Sequence, residues 1–158
     1  MWERVMQTYR VEEISTEAVE LAAPLFDAYR RYYQQEADLQ GAERFLRQRL
    51  EAEESVLFAA VTGEGPDKRA VGLAHLYPSF SSVTLQKLWI LNDLFVAAEL
   101  RGQGIGSLLL RRVEEFARET GSKGLTLTTM TDNHSAQRLY EAHGYIRDEE
   151  FWTYNRFY

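Results

Sequence analysis

A nearly uninterrupted apolar strand followed by a glycine-rich turn does most to limit the folds open to this chain. Residues Leu88–Val96 are apolar except for Asn92 and Asp93, and the turn Arg101-Gly102-Gln103-Gly104-Ile105-Gly106 follows shortly afterwards. Such a run predicts a strand that is buried on both faces, in the middle of a sheet. Apolar residues then recur at helical spacing until Gly121 ends the pattern. The sequence therefore predicts a strand, a tight turn and a helix in direct succession.

The other periodic segments complete a mixed α/β (α+β) fold. Val56–Thr62 and Ala70–Tyr77 are strands separated by the turn residues Gly63–Asp67, which predict an antiparallel hairpin. The remaining predicted elements are a strand at Val5–Val11, a helix from an N-cap at Ser15 or Thr16 to about Tyr33, a helical pattern over Phe45–Leu50, a strand at Leu125–Met130, a helix at Asn133–His143, a short extra strand at Tyr145–Arg147 and a final strand at Phe151–Phe157. The order β-α-α-β-β-β-α-β-α-β predicts a mixed central sheet with helices on both faces.

Composition excludes several classes of function. The 158 residues, 45% of them apolar, suit a single domain over residues 1–158. The sequence contains no apolar run long enough for a membrane span and no secretory signal at its start, so we expect a cytoplasmic protein. It has no cysteine, and its three histidines lack metal-ligand spacing, so we expect no metal. A net charge of −6 opposes binding to nucleic acid or an anionic membrane and favours a cationic small molecule.

The glycine-rich turn has the chemistry of a phosphate site. Glycines let an anion approach the backbone, where the free N–H groups and the dipole of a helix N-terminus attract it, and Arg101 can add a charged contact. The alternative is a loop whose glycines serve turn geometry alone. A dinucleotide fingerprint can be fitted to Gly102, Gly104 and Ser107, with Asp132 near the next strand, but the hairpin-linked strands before the turn oppose it. A P-loop does not fit, because no Gly-Lys-Ser/Thr follows.

Two motifs resemble the GNAT superfamily of N-acetyltransferases. Arg101–Gly106 matches that family's Gln/Arg-x-x-Gly-x-Gly/Ala signature completely, and Asn92–Val96 resembles the strand before it. Downstream, Asn133–Tyr145 resembles the family segment Asn-x-x-Ala-x-x-x-Tyr-x-x-x-Gly-Phe/Tyr. The central region is closest to the diamine and polyamine acetyltransferase branch. The resemblance is sharp over about Leu88–Tyr145, and the order of elements agrees with the family fold elsewhere.

The resemblance implies acetyl-CoA as the cosubstrate. It implies that the coenzyme A pyrophosphate lies on the amides of Gly102, Gln103, Gly104, Ile105 and Gly106, beside Arg101. It also implies that pantetheine runs between Leu94–Val96 and Leu125–Met130 and pairs with the backbone near Phe95 and Val96. Asn133 matches a position that contacts this arm, although a helix N-cap is an equal alternative for its side chain.

Acetyl transfer to an amine requires a proton acceptor for the amine and a proton donor for the departing thiolate. The family position of Tyr140 makes it the candidate acid, and a phenol of pKa about 10 stays protonated at neutral pH; packing on a helix face is the alternative. Asp93 is the candidate base, because a carboxylate in a buried strand is costly unless it is used or paired; a structural role is the alternative. In the diamine and polyamine acetyltransferases that this region resembles, a glutamate stands where this chain has Asn92; asparagine cannot be a base, so proton removal falls to Asp93, to a water chain or to solvent.

The sequence thus predicts an N-acetyltransferase acting on a small primary amine, a diamine, polyamine or amino acid, by direct attack in a ternary complex. Protein, peptide and antibiotic acceptors stay open, as does a non-catalytic coenzyme A-binding sensor. The tyrosines at the end of the first helix, Tyr29, Tyr32 and Tyr33, either line the acceptor pocket or pack in the core. The family and the aromatic segment Phe151–Tyr158 favour a homodimer.

Overall fold

The computed structural model describes residues 8–158 and divides into two compact units, a larger one that ends at Thr128 and a smaller one, Thr129–Tyr158. The larger unit contains a five-stranded sheet in which the strands lie in chain order, β1 to β5. The first three pairings are antiparallel, and β4 pairs with β5 in parallel. The strands are β1 Arg10–Glu13, β2 Val56–Thr62, β3 Arg69–Ser81, β4 Gln86–Val96 and β5 Leu125–Thr126. The predicted mixed sheet is confirmed.

Three helices cover the two faces of this sheet, because alternate strand residues present apolar side chains to each side. The helices are α1 Val19–Tyr32, α2 Leu39–Glu51 and α3 Ile105–Glu119. On one face, Leu57 and Ala59 of β2 join a core with Phe26 of α1 and Leu46 of α2. On the other face, Phe58 meets the Phe116 ring of α3 at 5.3 Å between centroids, and β3 lies close against the same helix. The prediction of helices on both faces is confirmed.

The smaller unit contains one helix, α4 His134–Ala142. The Asn133 side chain caps this helix by accepting a hydrogen bond of 3.2 Å from the Ala136 amide. Gly144, at φ +85°, ends it, and the Tyr145 amide donates back to the Tyr140 carbonyl oxygen at 3.0 Å. The helix predicted over Asn133–His143 is therefore confirmed, with the cap that the sequence suggested.

Several predicted strands are absent or shorter. No strand forms at Tyr145–Arg147 or at Phe151–Phe157, and the strand predicted over Leu125–Met130 is limited to β5. Alternating aromatics favour extended backbone, but a strand also needs a neighbour, and no described strand pairs with Phe151–Phe157. Of the predicted strand Val5–Val11, the first three residues lie outside the described residues, and β1 begins at Arg10. Within residues 8–158 we find no helix with the length and apolarity of a membrane span.

Candidate active site

A bulge in β4 decides which face of the sheet carries the candidate catalytic residue. Leu76 pairs with Leu91 and His75 pairs with Asp93, so Asn92 is an extra residue in β4. Cross-strand partners share a face, and the extra residue shifts the alternation of β4 by one. Before the bulge, Trp89 faces α3, where its ring meets Phe116 at 5.0 Å. After it, Asp93 points to the opposite face, on the side of α1 and α2.

Two hydrogen bonds hold the Asp93 carboxylate. Its Oδ2 accepts from His75 Nδ1 at 3.1 Å and from Asn92 Nδ2 at 3.1 Å. Neighbours in a regular strand point to opposite faces, so the contact between Asn92 and Asp93 follows from the bulge. His75 is completely buried and Asp93 is 9% exposed, and His75 Nε2 has no partner within residues 8–158. A carboxylate accepts only, so Nδ1 carries the proton that His75 donates.

Asp93 forms part of the lining of a cavity of about 510 Å³ between α1, α2 and the sheet. Its other lining residues are Phe26, Tyr29, Arg30, Asp38, Gly41, Ala42, Arg44, Phe45, Gln48 and Tyr77. Burial, with the Asp93 carboxylate as the second cause, raises the pKa of Tyr77 to about 12. The Tyr77 hydroxyl therefore keeps its proton at any ordinary pH. The cavity combines aromatic walls with charged groups of both signs, which suits a small polar ligand.

The glycine-rich turn has the backbone that its sequence predicts. Gly102 and Gly104 have φ values of +80° and +84°, and a Cβ built on either would have no neighbour within 4 Å. Gly104 is the N-cap of α3, and neither a side-chain cap nor an acidic residue satisfies the first turn of this helix. Within residues 8–158 the two glycines therefore border open space at a helix N-terminus, whose first N–H groups have no partner inside the helix, and these features fit a pyrophosphate.

The edge of β4 beside this turn is open within the larger unit. Pairing between β4 and β5 consists of Trp89 with Leu125 and Ile90 with Thr126, so among residues 8–128 the rest of β4 up to Val96 has no partner strand on that side. Free backbone groups there suit the amides of an extended pantetheine chain. Arg101 donates from Nε to the Val96 carbonyl oxygen at 3.3 Å, and its guanidinium lies 5.5 Å from the Phe95 ring centroid. Arg101 thus packs on the end of β4.

Two sequence-predicted site residues belong to the smaller unit. Tyr140 lies on α4, where its ring meets Tyr145 with 5.8 Å between centroids, and Asn133 is the cap described above. In the larger unit, Phe95 lies against Tyr29 and Tyr32, with ring centroids 5.4 and 6.1 Å apart, and of the three tyrosines of α1 Tyr29 lines the cavity. The side chain of Gln103 accepts a hydrogen bond of 3.0 Å from the Tyr9 hydroxyl.

Sequence reasoning missed His75. The three histidines lack metal-ligand spacing in the sequence, and no group of three or more His, Asp or Glu side chains among residues 8–158 is arranged to hold a metal. The sequence does contain a signal for the orientation of His75. It lies two residues from Leu73 and two from Tyr77, and residues two apart in a strand share a face. This spacing puts a buried imidazole on the face covered by α1. Its partner could not be predicted, because the bulge at Asn92 sets the register.

Comparison with known proteins agrees with this geometry. The model of the acetyltransferase (GNAT) family matches residues 15–145. An uncharacterised N-acetyltransferase, YhfO of Bacillus subtilis (strain 168), is 44% identical over 145 residues, which cover 91% of this chain and 94% of that protein. Thialysine N-epsilon-acetyltransferase of Bos taurus is 35% identical over 97 residues, covering 60% of this chain and 56% of the relative. The crystal structure of a probable acetyltransferase has a TM-score of 0.85 at 39% identity, covering 93% and 96% of the two chains.

The chain belongs to the GNAT family and is an acetyltransferase enzyme. The superfamily resemblance of the two motifs is confirmed, and members of this family use acetyl-CoA. The dinucleotide reading of Gly102, Gly104 and Ser107 is wrong, since the sheet has antiparallel strands before the turn and a single parallel pair.

Proposed function

We propose that the enzyme transfers the acetyl group of acetyl-CoA to a primary amine of a small molecule by direct attack in a ternary complex. The acceptor is a diamine, a polyamine or an amino acid. The observation that carries this proposal is Asp93, a buried carboxylate that lines a cavity large enough for such a molecule. The relative of Bos taurus takes its name from acetylation of the ε-amine of thialysine, a small amine.

The proposed cosubstrate site consists of Arg101, Gly102, Gln103, Gly104, Ile105 and Gly106, with Phe95, Val96 and Asn133. The open turn at the N-terminus of α3 supports binding of the pyrophosphate, and the unpaired edge of β4 supports binding of pantetheine. A backbone amide near Phe95 or Val96 polarises the thioester carbonyl in this proposal. No protein metal ligand takes part in the proposed reaction.

Asp93 is the proposed base. Its Oδ2 is held by His75 and Asn92, whereas no hydrogen bond involves its Oδ1 within residues 8–158, so Oδ1 is available to an ammonium group. The bound ammonium loses one proton to Asp93, and the neutral nitrogen forms a bond to the acetyl carbonyl carbon. The attached nitrogen loses its second proton to solvent, the C–S bond breaks, and the electron pair leaves with sulfur, which takes a proton from Tyr140; solvent then reprotonates Tyr140. Asp93 returns its proton to solvent, which balances the reaction as ammonium plus thioester giving amide, thiol and one proton.

Tyr140 is the proposed acid that gives the leaving thiolate its proton. A thiol of pKa about 8.5 is a stronger acid than a phenol of pKa about 10, so proton transfer from the phenol to the thiolate is slightly uphill. It therefore requires the tyrosine hydroxyl to lie beside the sulfur and the phenolate to be reprotonated rapidly by solvent. The family motif Asn133–Tyr145 supports this role for Tyr140. Tyr140 lies on α4.

The test measures thiol release from acetyl-CoA with a panel of diamines, polyamines, amino acids and aminoglycosides. We expect Asp93→Asn to lower kcat about 10²-fold, the usual contribution of a general base. Asp67→Asn, the same change on an exposed turn, should retain wild-type activity. If Asp93→Asn keeps a third or more of the activity, Asp93 is not the base. If acetyl-CoA binds but the wild type acetylates no amine, the small-amine acceptor is refuted.

We also propose that residues 1–158 form one N-acetyltransferase domain. The family match supports this, because it continues across Thr128. The proposal takes the cytoplasm, which supplies acetyl-CoA, as the site of action. It includes a homodimer, supported by a C-terminal segment whose aromatic side chains are strongly exposed, namely Phe151, Trp152, Tyr154, Phe157 and Tyr158. Light scattering during size-exclusion chromatography tests this, and a mass of one chain at working concentration would refute it.

A further inference from the structure

The cavity that contains Asp93 is lined by two cationic and two anionic side chains. Two of these four side chains, Arg30 and Asp38, already have hydrogen-bond partners within the protein. Arg30 donates from Nη1 to Asp27 Oδ1 at 2.9 Å and to the Glu36 carbonyl oxygen at 3.1 Å. Asp38 accepts from the Gly41 amide at 2.9 Å and caps the N-terminus of α2, where the helix dipole balances its charge.

The remaining two charges are opposite in sign and differ in depth. Arg44, on α2, is exposed and takes part in no hydrogen bond or ion pair within residues 8–158. Asp93 is buried, and its two hydrogen bonds come from an amide and an imidazole, which leave Oδ1 available. The cavity therefore has a cation without an ion-pair partner on its solvent-facing side and a carboxylate with an available oxygen on its inner side.

Gln48 adds a neutral hydrogen-bond donor beside Arg44. It lies four residues after Arg44 on α2, so the two side chains are neighbours on one face of the helix, and both line the cavity. Its side chain has no hydrogen-bond partner in the described part of the chain. A guanidinium and a carboxamide side by side supply several N–H donors and suit a carboxylate.

We propose that the acceptor is a zwitterionic amino acid whose carboxylate binds Arg44 and Gln48 while its reacting amine meets Asp93. This inference rests on the function proposed above and narrows its acceptor class. A diamine of the same length would bring a second ammonium group towards Arg44, where like charges repel. The arrangement of charges thus selects against diamines and polyamines as well as in favour of amino acids.

Lysine and cadaverine test the inference, because they differ only by the carboxylate. We expect the wild type to acetylate lysine with a kcat/KM at least tenfold above that for cadaverine. Arg44→Gln should reduce this ratio about tenfold, the size of one charge-assisted hydrogen bond partly screened by solvent. Arg44→Lys, which keeps the charge, should restore part of it. Arg118→Gln, the same charge change in the last turn of α3, is the control and should leave the ratio unchanged.

The outcomes separate this inference from the proposed function. The enzyme could prefer cadaverine, putrescine, a polyamine or an aminoglycoside to lysine and ornithine. That result overturns the zwitterionic acceptor and leaves the acetyltransferase proposal standing. A preference for lysine that survives Arg44→Gln, in a variant with wild-type thermal stability, overturns the role of Arg44. Failure to acetylate any amine overturns both. Loss of the preference in Arg44→Gln but not in Arg118→Gln supports the inference.

Discussion

Replacing Gly104 by alanine separates the two explanations of the glycine-rich turn. Gly104 has φ +84°, and Gly121, beyond the other end of α3, has φ +70°; a Cβ at either would meet nothing within 4 Å. Neither substitution creates a clash, so each costs only the left-handed backbone, about 1–2 kcal/mol. Alanine also lowers the conformational entropy of the unfolded chain, which stabilises the folded protein by about 0.4–1 kcal/mol. The expected net loss is about 1 kcal/mol for both variants, or about 2–4 °C in Tm.

The two variants should differ in binding. At Gly104 the new methyl group enters the open space above the amides of the turn, so we expect the Kd for acetyl-CoA to rise at least tenfold. At Gly121 the same methyl group lies beyond the opposite end of the helix, and Kd should stay within twofold of wild type. Urea denaturation measures the stabilities, and isothermal titration calorimetry measures Kd. If Gly104→Ala loses stability as expected but binds acetyl-CoA like the wild type, the glycines serve turn geometry alone and the reasoning is refuted.

Three further predictions concern other residues. The pKa of Tyr77 is about 12 in the folded protein and 10 in the unfolded chain, so its contribution to stability is present below pH 10 and is lost as the pH rises towards 12. After discounting for a half-buried ring, this contribution is about 1 kcal/mol. Tyr77→Phe should therefore lose less free energy of unfolding than the wild type between pH 9 and pH 11.5, measured by urea titration at both values. Tyr140→Phe should lower kcat about 10²-fold in the thiol-release assay, and unchanged turnover from pH 6 to 10 would exclude it as the acid. Asp38→Ala should cost about 1 kcal/mol by loss of the α2 cap, whereas Ser15→Ala, whose hydroxyl makes no cap bond, should cost less on thermal denaturation.

The sequence predicted the elements whose signals are local. The bounds of β2 were predicted as observed, because an apolar run ends in turn residues at Gly63. The helix after the glycine turn and the cap at Asn133 depend on neighbouring residues alone, and both were predicted. The final strand at Phe151–Phe157 was wrong, since its formation depends on a partner that alternation cannot reveal.

The candidate site was predictable only in part for the same reason. Asp93 is recognisable in the sequence because a carboxylate interrupts an apolar strand, and in the structure it lines a cavity. Its contact with His75 depends on strand register across 18 residues of chain, which no periodic pattern specifies. The distribution of charge around the cavity depends on the packing of α2 against the sheet, so Arg44 had no sequence signal at all.

The bulge at Asn92 has a consequence for how this chain can change over evolutionary time. Deleting that one residue would still leave Leu91 opposite Leu76 and Asp93 opposite His75, so β4 would become regular and each side chain would keep its face. The site would lose the amide that donates to Asp93 Oδ2, but the cavity would keep its carboxylate. If Asn92 stayed and joined a regular ladder instead, Asp93 and Phe95 would turn to the face of α3 and the cavity would lose the carboxylate. The local geometry that absorbs one extra residue between Trp89 and Asp93 is therefore as much a part of the site as the identities of the residues.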